Sequence, residues 1–315
     1  MIKRVAVLGA GTMGHGIAEA FAMGGYSVSL YEPCESIRDR VKKTIRIELE
    51  YLADQEVIRF EEIGNIMDRI RLFDVMKNAV HDVDYVIEAT PENLELKQKL
   101  FQTLDNLCKP HTILASNTSS LSLSEMMLHI TPERKTRTMI CHWYSPAHIM
   151  PLVELSNFGN LNEAVYEEIE KLYRRINKQT VKVKKDVPGL VANRIQQGLA
   201  REVFSLIEQE IASPEDIDKA LKFGPAFRYA TAGQLEIADM GGLDIWATVG
   251  DNLLSVMDNR QEASPILKNM VNQGKLGIKT GEGFFSYSDK EIELKKKKFN
   301  NKLILQLKTS QHYID

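Results

Sequence analysis

Three glycines in the run Gly9-Ala10-Gly11-Thr12-Met13-Gly14 follow the apolar stretch Val5-Ala6-Val7-Leu8, and a helical pattern then leads to Val28-Ser29-Leu30-Tyr31-Glu32. That order reads as strand, glycine turn, helix and a second strand ending in an acid. Each glycine has its own task in holding a pyrophosphate. Gly9 permits the tight turn, Gly11 lets backbone approach the anion, and Gly14 lets the helix pack on the strand with its positive N-terminus toward the charge. A glycine turn alone is common, but with strand, helix and acid in place the expectation is a dinucleotide held by Gly9, Gly11, Thr12, Met13 and Gly14, with Glu32 accepting hydrogen bonds from the adenosine ribose. A carboxylate at position 32 repels a 2′-phosphate and no arginine follows it closely, so NAD is expected rather than NADP.

Removing hydride from an alcohol also requires a proton acceptor, and histidine suits that task near neutral pH. The chain has His15, His81, His111, His129, His142, His148 and His312. Only His142 falls in a predicted sheet strand, beside Trp143-Tyr144 and ahead of a turn marked by Pro146 and Pro151. The next strand carries Glu154 between Val153 and Leu155. If the two strands pair, Glu154 can bond one imidazole nitrogen and leave the other as base. From the pattern alone, a satisfied core histidine and a strand-edge carboxylate is the plainer reading.

The elements that must position these residues divide the chain. Strands are predicted at 83–88, 112–116, 138–144, 152–156 and 180–185, with helices at 35–55, 94–107 and 163–176. Polar Asn117-Thr118-Ser119-Ser120 ends one strand, where open α/β sheets place ligands. Beyond Pro188-Gly189, apolar residues recur at helical spacing from Leu190 to Ile211 and strand signals fade. Ser213-Pro214-Glu215-Asp216 is a helix start. Leu276 to Phe285 is a glycine-rich loop, and Lys295 to Lys298 a solvated helix face. The fold class expected is α/β: an N-terminal Rossmann-type doubly wound sheet over residues 1–186, then a mainly helical domain over 187–315 for substrate and dimerisation, ending in a charged tail.

At 315 residues, 43% hydrophobic and net charge −3, the chain can bury two cores and has no global attraction to nucleic acid or anionic membrane. It opens directly on a strand, with no signal-peptide pattern, so a cytoplasmic protein is expected. Cys34, Cys108 and Cys141 show no metal-ligand spacing, no metal is expected, and each reads as a small buried hydrophobe.

Read together, Ala115-Ser116-Asn117-Thr118-Ser119-Ser120, the segment from His142 to Glu154, Val187-Pro188-Gly189-Leu190-Val191-Ala192-Asn193-Arg194 and Gly277-Ile278-Lys279-Thr280-Gly281-Glu282-Gly283-Phe284 resemble the successive motifs of the 3-hydroxyacyl-CoA dehydrogenase family, in the same order over residues 1–287. The resemblance implies an NAD-dependent oxidation of a 3-hydroxyacyl-CoA, such as 3-hydroxybutyryl-CoA, in fatty acid metabolism. It implies His142 as general base and Glu154 as its orienting partner. Ser119 would bind the substrate hydroxyl, and Asn193 the carbonyl end. Glu92, Lys97, Asn117, Ser145 and Lys279 would belong to the cofactor site. Plainer roles exist for several of these: Ser119 as a helix cap, Asn193 and Glu92 as partners of backbone groups, Lys97 and Lys279 as solvated cations.

Several features depart from the acyl-CoA pattern. A lysine-rich stretch suited to CoA phosphates is replaced by Leu49-Glu50-Tyr51-Leu52-Ala53-Asp54-Gln55-Glu56, and with Glu48 this acidic run would repel a polyanionic carrier. Ser145 stands where an asparagine is typical, and Phe227-Arg228-Tyr229-Ala230 replaces a Pro-Met-Gly-Pro sequence. These departures resemble relatives without CoA: L-gulonate 3-dehydrogenase with lambda-crystallin, carnitine dehydrogenase, and a pyridine-carboxylate dehydrogenase. Arg228 would then bind a substrate carboxylate bidentately. The thioester, with Lys42 or Lys43 helping to hold the carrier, stands ahead of a small hydroxy acid, and a non-catalytic crystallin-like role stands third. A homodimer through residues beyond 188 is expected.

Overall fold

The computed structural model describes residues 2–310, so His312 lies outside the described residues. The chain forms two compact units, residues 1–191 and 192–315. In the first, one sheet holds β1 (Arg4–Leu8), β2 (Ser27–Tyr31), β3 (Ile70–Phe73), β4 (Tyr85–Glu88), β5 (Ile113–Ser116), β6 (Thr138–Trp143), β7 (Leu152–Ser156) and β8 (Gln179–Val183). Their order across the sheet is β3-β2-β1-β4-β5-β6-β7-β8. The pairings from β3 through β6 are parallel, β6–β7 is antiparallel and β7–β8 is parallel again. The order reverses at β1, which has β2 on one side and β4 on the other, and a crevice therefore opens at its carboxyl end.

Helices α1 (Gly14–Met23), α2 (Glu35–Asp54), α3 (Glu62–Asp68), α4 (Met76–Val80), α5 (Leu94–Leu107), α6 (Leu123–Met126), α7 (Pro132–Lys135) and α8 (Glu163–Arg175) cover the sheet. Two apolar layers result. One joins α1, α2 and α8 through Phe21, Ile45, Leu49 and Tyr173; the other joins α5 and α6 through Phe101, Leu104 and Met126. Strands β4 and β5 are buried throughout, the continuous apolar reading of strands covered on both faces.

Strand β3 and the short helices around it were not among the strands read from sequence. Ile70-Arg71-Leu72-Phe73 is four residues long with an exposed arginine at its second position, too short for alternation to register. Cys34 corrects another expectation: Cys108 and Cys141 are buried but Cys34 is exposed. Burial pushes the Cys108 thiol up to about 11 and the Cys141 thiol up to about 12.

The second unit is built of α9 (Ala192–Glu208), α10 (Pro214–Phe223), α11 (Pro225–Tyr229), α12 (Gln234–Gly241), α13 (Leu243–Leu253), α14 (Pro265–Asn272) and α15 (Asp289–Ser310). Ser213 caps α10 by accepting from the Asp216 amide at 3.2 Å, with Pro214 in the first turn. Residues 276–285 remain a turn, held by isolated bridges from Glu282 to Gly277 and Ser286. Lys295 to Lys298 are exposed on α15. Few side chains of this unit are buried, whereas Phe223, Phe227, Leu235, Met240, Leu254 and Val256 are 69–83% exposed. Among the described residues no helix is long and apolar enough to cross a membrane.

Candidate active site

The glycine turn sits where the strand order reverses, and its three glycines meet different constraints. Gly9 has φ +95°, and a Cβ there would stand 2.9 Å from the Ala89 carbonyl oxygen at the end of β4. A Cβ on Gly14 would lie 1.7 Å from the Gly9 carbonyl oxygen, so only glycine lets α1 begin this close to β1. Around Gly11 nothing lies within 4 Å of that position, which leaves backbone open to a ligand. No side-chain bond caps α1 among the described residues, and the N-terminus of a helix is where an anion is favoured. Thr12 is exposed and Met13 half-buried beside it. The residues present therefore fit a dinucleotide pyrophosphate.

Glu32 closes this end. Its Oε2 accepts from the Ala10 amide at 3.0 Å and its Oε1 from the Cys34 amide at 3.0 Å. The carboxylate thus ties the glycine turn to the end of β2, and each oxygen retains a further lone pair for a ribose hydroxyl. An arginine does come near Glu32, contrary to the reading from sequence: Arg38, one turn into α2, donates Nη1 to the Glu32 carbonyl at 2.8 Å and the Pro33 carbonyl at 2.7 Å. That nitrogen is occupied by backbone carbonyls.

At the other end of the sheet, antiparallel pairing sets His142 directly opposite Glu154. Opposite residues share a face, and the His142 Nδ1 lies 2.8 Å from Glu154 Oε2. Glu154 is fully buried and its Oε1 accepts from the Val191 amide at 2.8 Å, so both oxygens are fixed. A carboxylate can only accept, which places the imidazole proton on Nδ1 and the lone pair on Nε2. The opposite face of β6 carries Trp143, whose indole nitrogen donates to the Tyr173 hydroxyl at 3.1 Å, itself 2.7 Å from the Tyr85 hydroxyl. This aromatic cluster with Phe21 immobilises the strand. Tyr144, given no role in the sequence reading beyond its place next to His142, lies edge-on to the His142 ring with centroids 5.2 Å apart. Burial and the nearby Glu154 charge push its phenol up to about 12, so it stays protonated.

The polar loop after β5 is tied to both ends. Asn117 accepts from the Trp143 amide at 2.8 Å. Glu92 Oε1 accepts from the Thr118 hydroxyl at 2.6 Å, the Ser119 and Ser120 amides at 3.1 Å and the Ser120 hydroxyl at 2.9 Å. Burial opposes the Glu92 charge, but the Thr118 and Ser120 hydroxyls outweigh it and hold the carboxyl below its ordinary value. Lys97 is not solvated: it is 1% exposed, and its ammonium lies 2.6 Å from Glu88 and 3.5 Å from Glu92. Glu88, which also accepts from the Ser116 and Thr90 hydroxyls, is a site-shaping residue missed in the sequence because it reads as the polar end of an apolar strand. Ser119 is half-buried beside this network and its carbonyl accepts from Gly189 at 3.0 Å.

The remaining candidates are more exposed. Ser145 precedes a cis bond to Pro146 and is exposed. In the second unit Asn193 is half-buried in the first turn of α9, and Lys279 is exposed in the turn at 277–282. Arg228 is exposed on α11 and lines an open hollow of about 270 Å³ with Thr231, Ile237 and Met240. Of the acidic run at the end of α2 and just beyond it, Glu48 turns inward to His15, leaving Glu50, Asp54 and Glu56 outside.

Known proteins resemble this chain along most of its length. Residues 4–187 match the family model described as 3-hydroxyacyl-CoA dehydrogenase, NAD binding domain, and residues 189–287 match its C-terminal domain. The chain is 34% identical over 294 residues to 5-formyl-3-hydroxy-2-methylpyridine 4-carboxylate 5-dehydrogenase of Mesorhizobium japonicum, covering 93% of each chain. A crystal structure of an enzyme of that name, described as an NAD+-dependent dismutase, superposes with a TM-score of 0.90 at 31% identity, over 99% of each chain. The (S)-3-hydroxybutyryl-CoA dehydrogenase of Ralstonia eutropha gives a TM-score of 0.75 at 31% identity, covering 92% of this chain and 100% of that one.

Proposed function

The chain belongs to the 3-hydroxyacyl-CoA dehydrogenase family as an NAD-dependent oxidoreductase, and on that premise we propose that His142 takes the hydroxyl proton of a secondary alcohol lying beta to a carbonyl. The observation that carries this reading is the His142–Glu154 pair. Nδ1 is engaged by a buried carboxylate that is itself fixed by the Val191 amide, so Nε2 is the nitrogen that receives the proton. Glu154 stabilises the imidazolium that results. Ser119 hydrogen-bonds the substrate hydroxyl, and Asn193 holds its carbonyl end. The glycine turn and Glu32 hold NAD, with Glu92, Asn117, Ser145 and Lys279 completing the cofactor site and the buried Lys97 positioning Glu92 from behind it. The bound nicotinamide supplies the hydride acceptor.

The substrate class named for many relatives is a 3-hydroxyacyl-CoA, and a 3-hydroxybutyryl-CoA-type thioester is the first reading. A second is a small alcohol or aldehyde bearing a free carboxylate. It is favoured by the TM-score of 0.90 to the pyridine-carboxylate enzyme and by the exposed Arg228, a bidentate partner for a carboxylate. The exposed apolar side chains of the second unit support assembly as a homodimer.

The test measures NADH formation with 3-hydroxybutyryl-CoA, free 3-hydroxybutyrate, L-gulonate, carnitine and the alcohol corresponding to 5-formyl-3-hydroxy-2-methylpyridine 4-carboxylate. With a thioester substrate the CoA compound exceeds its free acid by several decades, since remote binding energy is used at the reacting carbon. With a small carboxylate, free CoA fails to compete and Arg228→Lys lowers activity severely. Turnover in either case falls by about 10²–10⁴ in His142→Gln while NADH binding is retained. Near-normal turnover of that variant removes the mechanism, and no NADH from any compound favours a crystallin-like role.

A further inference from the structure

On the α1 side of the sheet, three ligand-bearing side chains converge that the dehydrogenase reaction does not use. Glu19 comes from α1, Glu48 from α2, and His148 from the connection between β6 and β7. One carboxylate oxygen from each glutamate and a ring nitrogen of His148 all lie within 4.8 Å of one another. Glu19 is fully buried, and among the described residues neither of its oxygens has a hydrogen-bond partner. Glu48 Oε2 and His148 Nδ1 are likewise buried and unbonded, and His148 Nδ1 stands 3.7 Å from Glu19 Oε2. Buried polar atoms ordinarily find partners, so one oxygen from each glutamate and the ring nitrogen of His148, all within 4.8 Å of one another, call for a shared partner, either a proton held between the two carboxyl groups or a cation in its place.

The neighbours orient this set, and within it burial and the Glu48 carboxylate raise the Glu19 carboxyl well above its ordinary value, so that in the absence of a cation Glu19 keeps a proton that it shares with Glu48. His15, one turn before Glu19, sets Nε2 3.2 Å from Glu48 Oε1, which leaves Oε2 for the cluster. Lys178 donates to the Ala147 carbonyl at 2.8 Å and the Met150 carbonyl at 2.7 Å, fixing the turn that carries His148 rather than bonding Glu19. Gly16 leaves the space for this approach: a Cβ there would stand 3.3 Å from both His148 Nδ1 and the Ala147 Cβ.

We propose that Glu19, Glu48 and His148 form a structural binding site for a divalent transition-metal cation of the zinc type. One imidazole and two carboxylates are a donor set for zinc and its neighbours, whereas an all-oxygen set suits calcium or magnesium. A tetrahedral shell with bonds of about 2.1 Å separates its ligand atoms by about 3.4 Å, so the side chains need only draw together by roughly an ångström. The bound ion fastens α1 and α2 to the β6–β7 connection. It also reaches the glycine turn, because His15 Nδ1 lies 2.6 Å from the Gly11 carbonyl.

The experiment uses the full chain, stripped with a chelator and then titrated with Zn²⁺, with Co²⁺ as a spectroscopic probe. One equivalent is expected to bind and to raise the melting temperature. Glu19→Gln and, separately, His148→Gln are expected to weaken binding at least ten-fold and abolish the ion-dependent shift, while His129→Ala, which changes an exposed histidine, retains both. Having two variants keeps the test decisive if one fails to fold. The proposal is overturned if the parent protein shows no stoichiometric binding and no melting shift with either ion, or if the Gln variants shift as the parent does, which would put the ion elsewhere.

Discussion

Glu32 has two duties, and a substitution there separates them. It accepts the Ala10 and Cys34 amides, and its charge opposes a 2′-phosphate. Glu32→Gln preserves an acceptor oxygen but removes the charge, so NADH affinity should fall by about ten-fold, the worth of one charged hydrogen bond, and the preference for NADH over NADPH should shrink. Glu32→Ala should do the same and also lower the melting temperature, since two amides lose their acceptor. Calorimetry with both cofactors checks this, and equal affinities for NADH and NADPH in the parent protein contradict it. At this scale the sequence was most readable where chemistry depends on backbone. Gly9, Gly11 and Gly14 declare themselves by spacing and Lys97 only through the family resemblance, whereas Glu88 and Tyr144 do not, because their roles emerge only once the strands are in place. The Glu19, Glu48 and His148 set is unreadable for the same reason: it arises only when α1, α2 and the β6–β7 connection come together.

Elements are held by a few buried polar anchors, of which Arg134 is the clearest. It is 4% exposed at the end of α7 and donates to the Thr112, Cys108 and Lys109 carbonyls at 2.6, 3.1 and 3.0 Å and to Asp105 at 3.0 Å. It thereby closes the C-terminus of α5 and the start of β5. Arg134→Ala leaves three carbonyls and a carboxylate without this donor, and should cost about 3–5 kcal/mol of stability in denaturant unfolding. Part of this depends on pH. Burial opposes the Asp105 charge, but the Thr131 amide and the Arg134 guanidinium outweigh it and hold the carboxyl below its ordinary value. The unfolded chain therefore takes up the proton first as pH falls. The contribution is complete above about pH 3.9 and is lost as pH drops through the lowered folded-state value. The difference between parent and Arg134→Ala should accordingly narrow in acid, and a constant difference from pH 7 to pH 3 rules the linkage out. Strands β1, β2 and β4 through β8 were legible, most of them because an apolar run ends in turn residues. Strand β3 was not, and the antiparallel turn of β7 that brings Glu154 to His142 was legible only as a condition, since pairing direction leaves no mark in periodicity.

For the whole molecule, the second unit sets the open question. Its first helix was readable from apolar spacing and α10 from its Ser213-Pro214 start, whereas α11 to α14 were not read individually, and many of the apolar side chains there are not buried: Phe223, Phe227, Leu235 and Met240 are 69–83% exposed on α10, α11 and α12. Periodicity marks which face is apolar and is silent on what covers it. Large apolar side chains left this exposed in number are commonly covered by a partner, and a second copy of the same chain related by a two-fold axis is the simplest one. The expected outcome is a dimer by light scattering at micromolar concentration. Leu235→Asp combined with Phe227→Asp should shift it to monomer, because each charge must then be buried unpaired at the interface. The first unit, with its own core, should keep its fold in that variant, and NADH binding read by calorimetry should persist through Gly9, Gly11, Gly14 and Glu32. A parent protein that scatters as a monomer, or a double variant that remains dimeric, places the contact elsewhere or removes it.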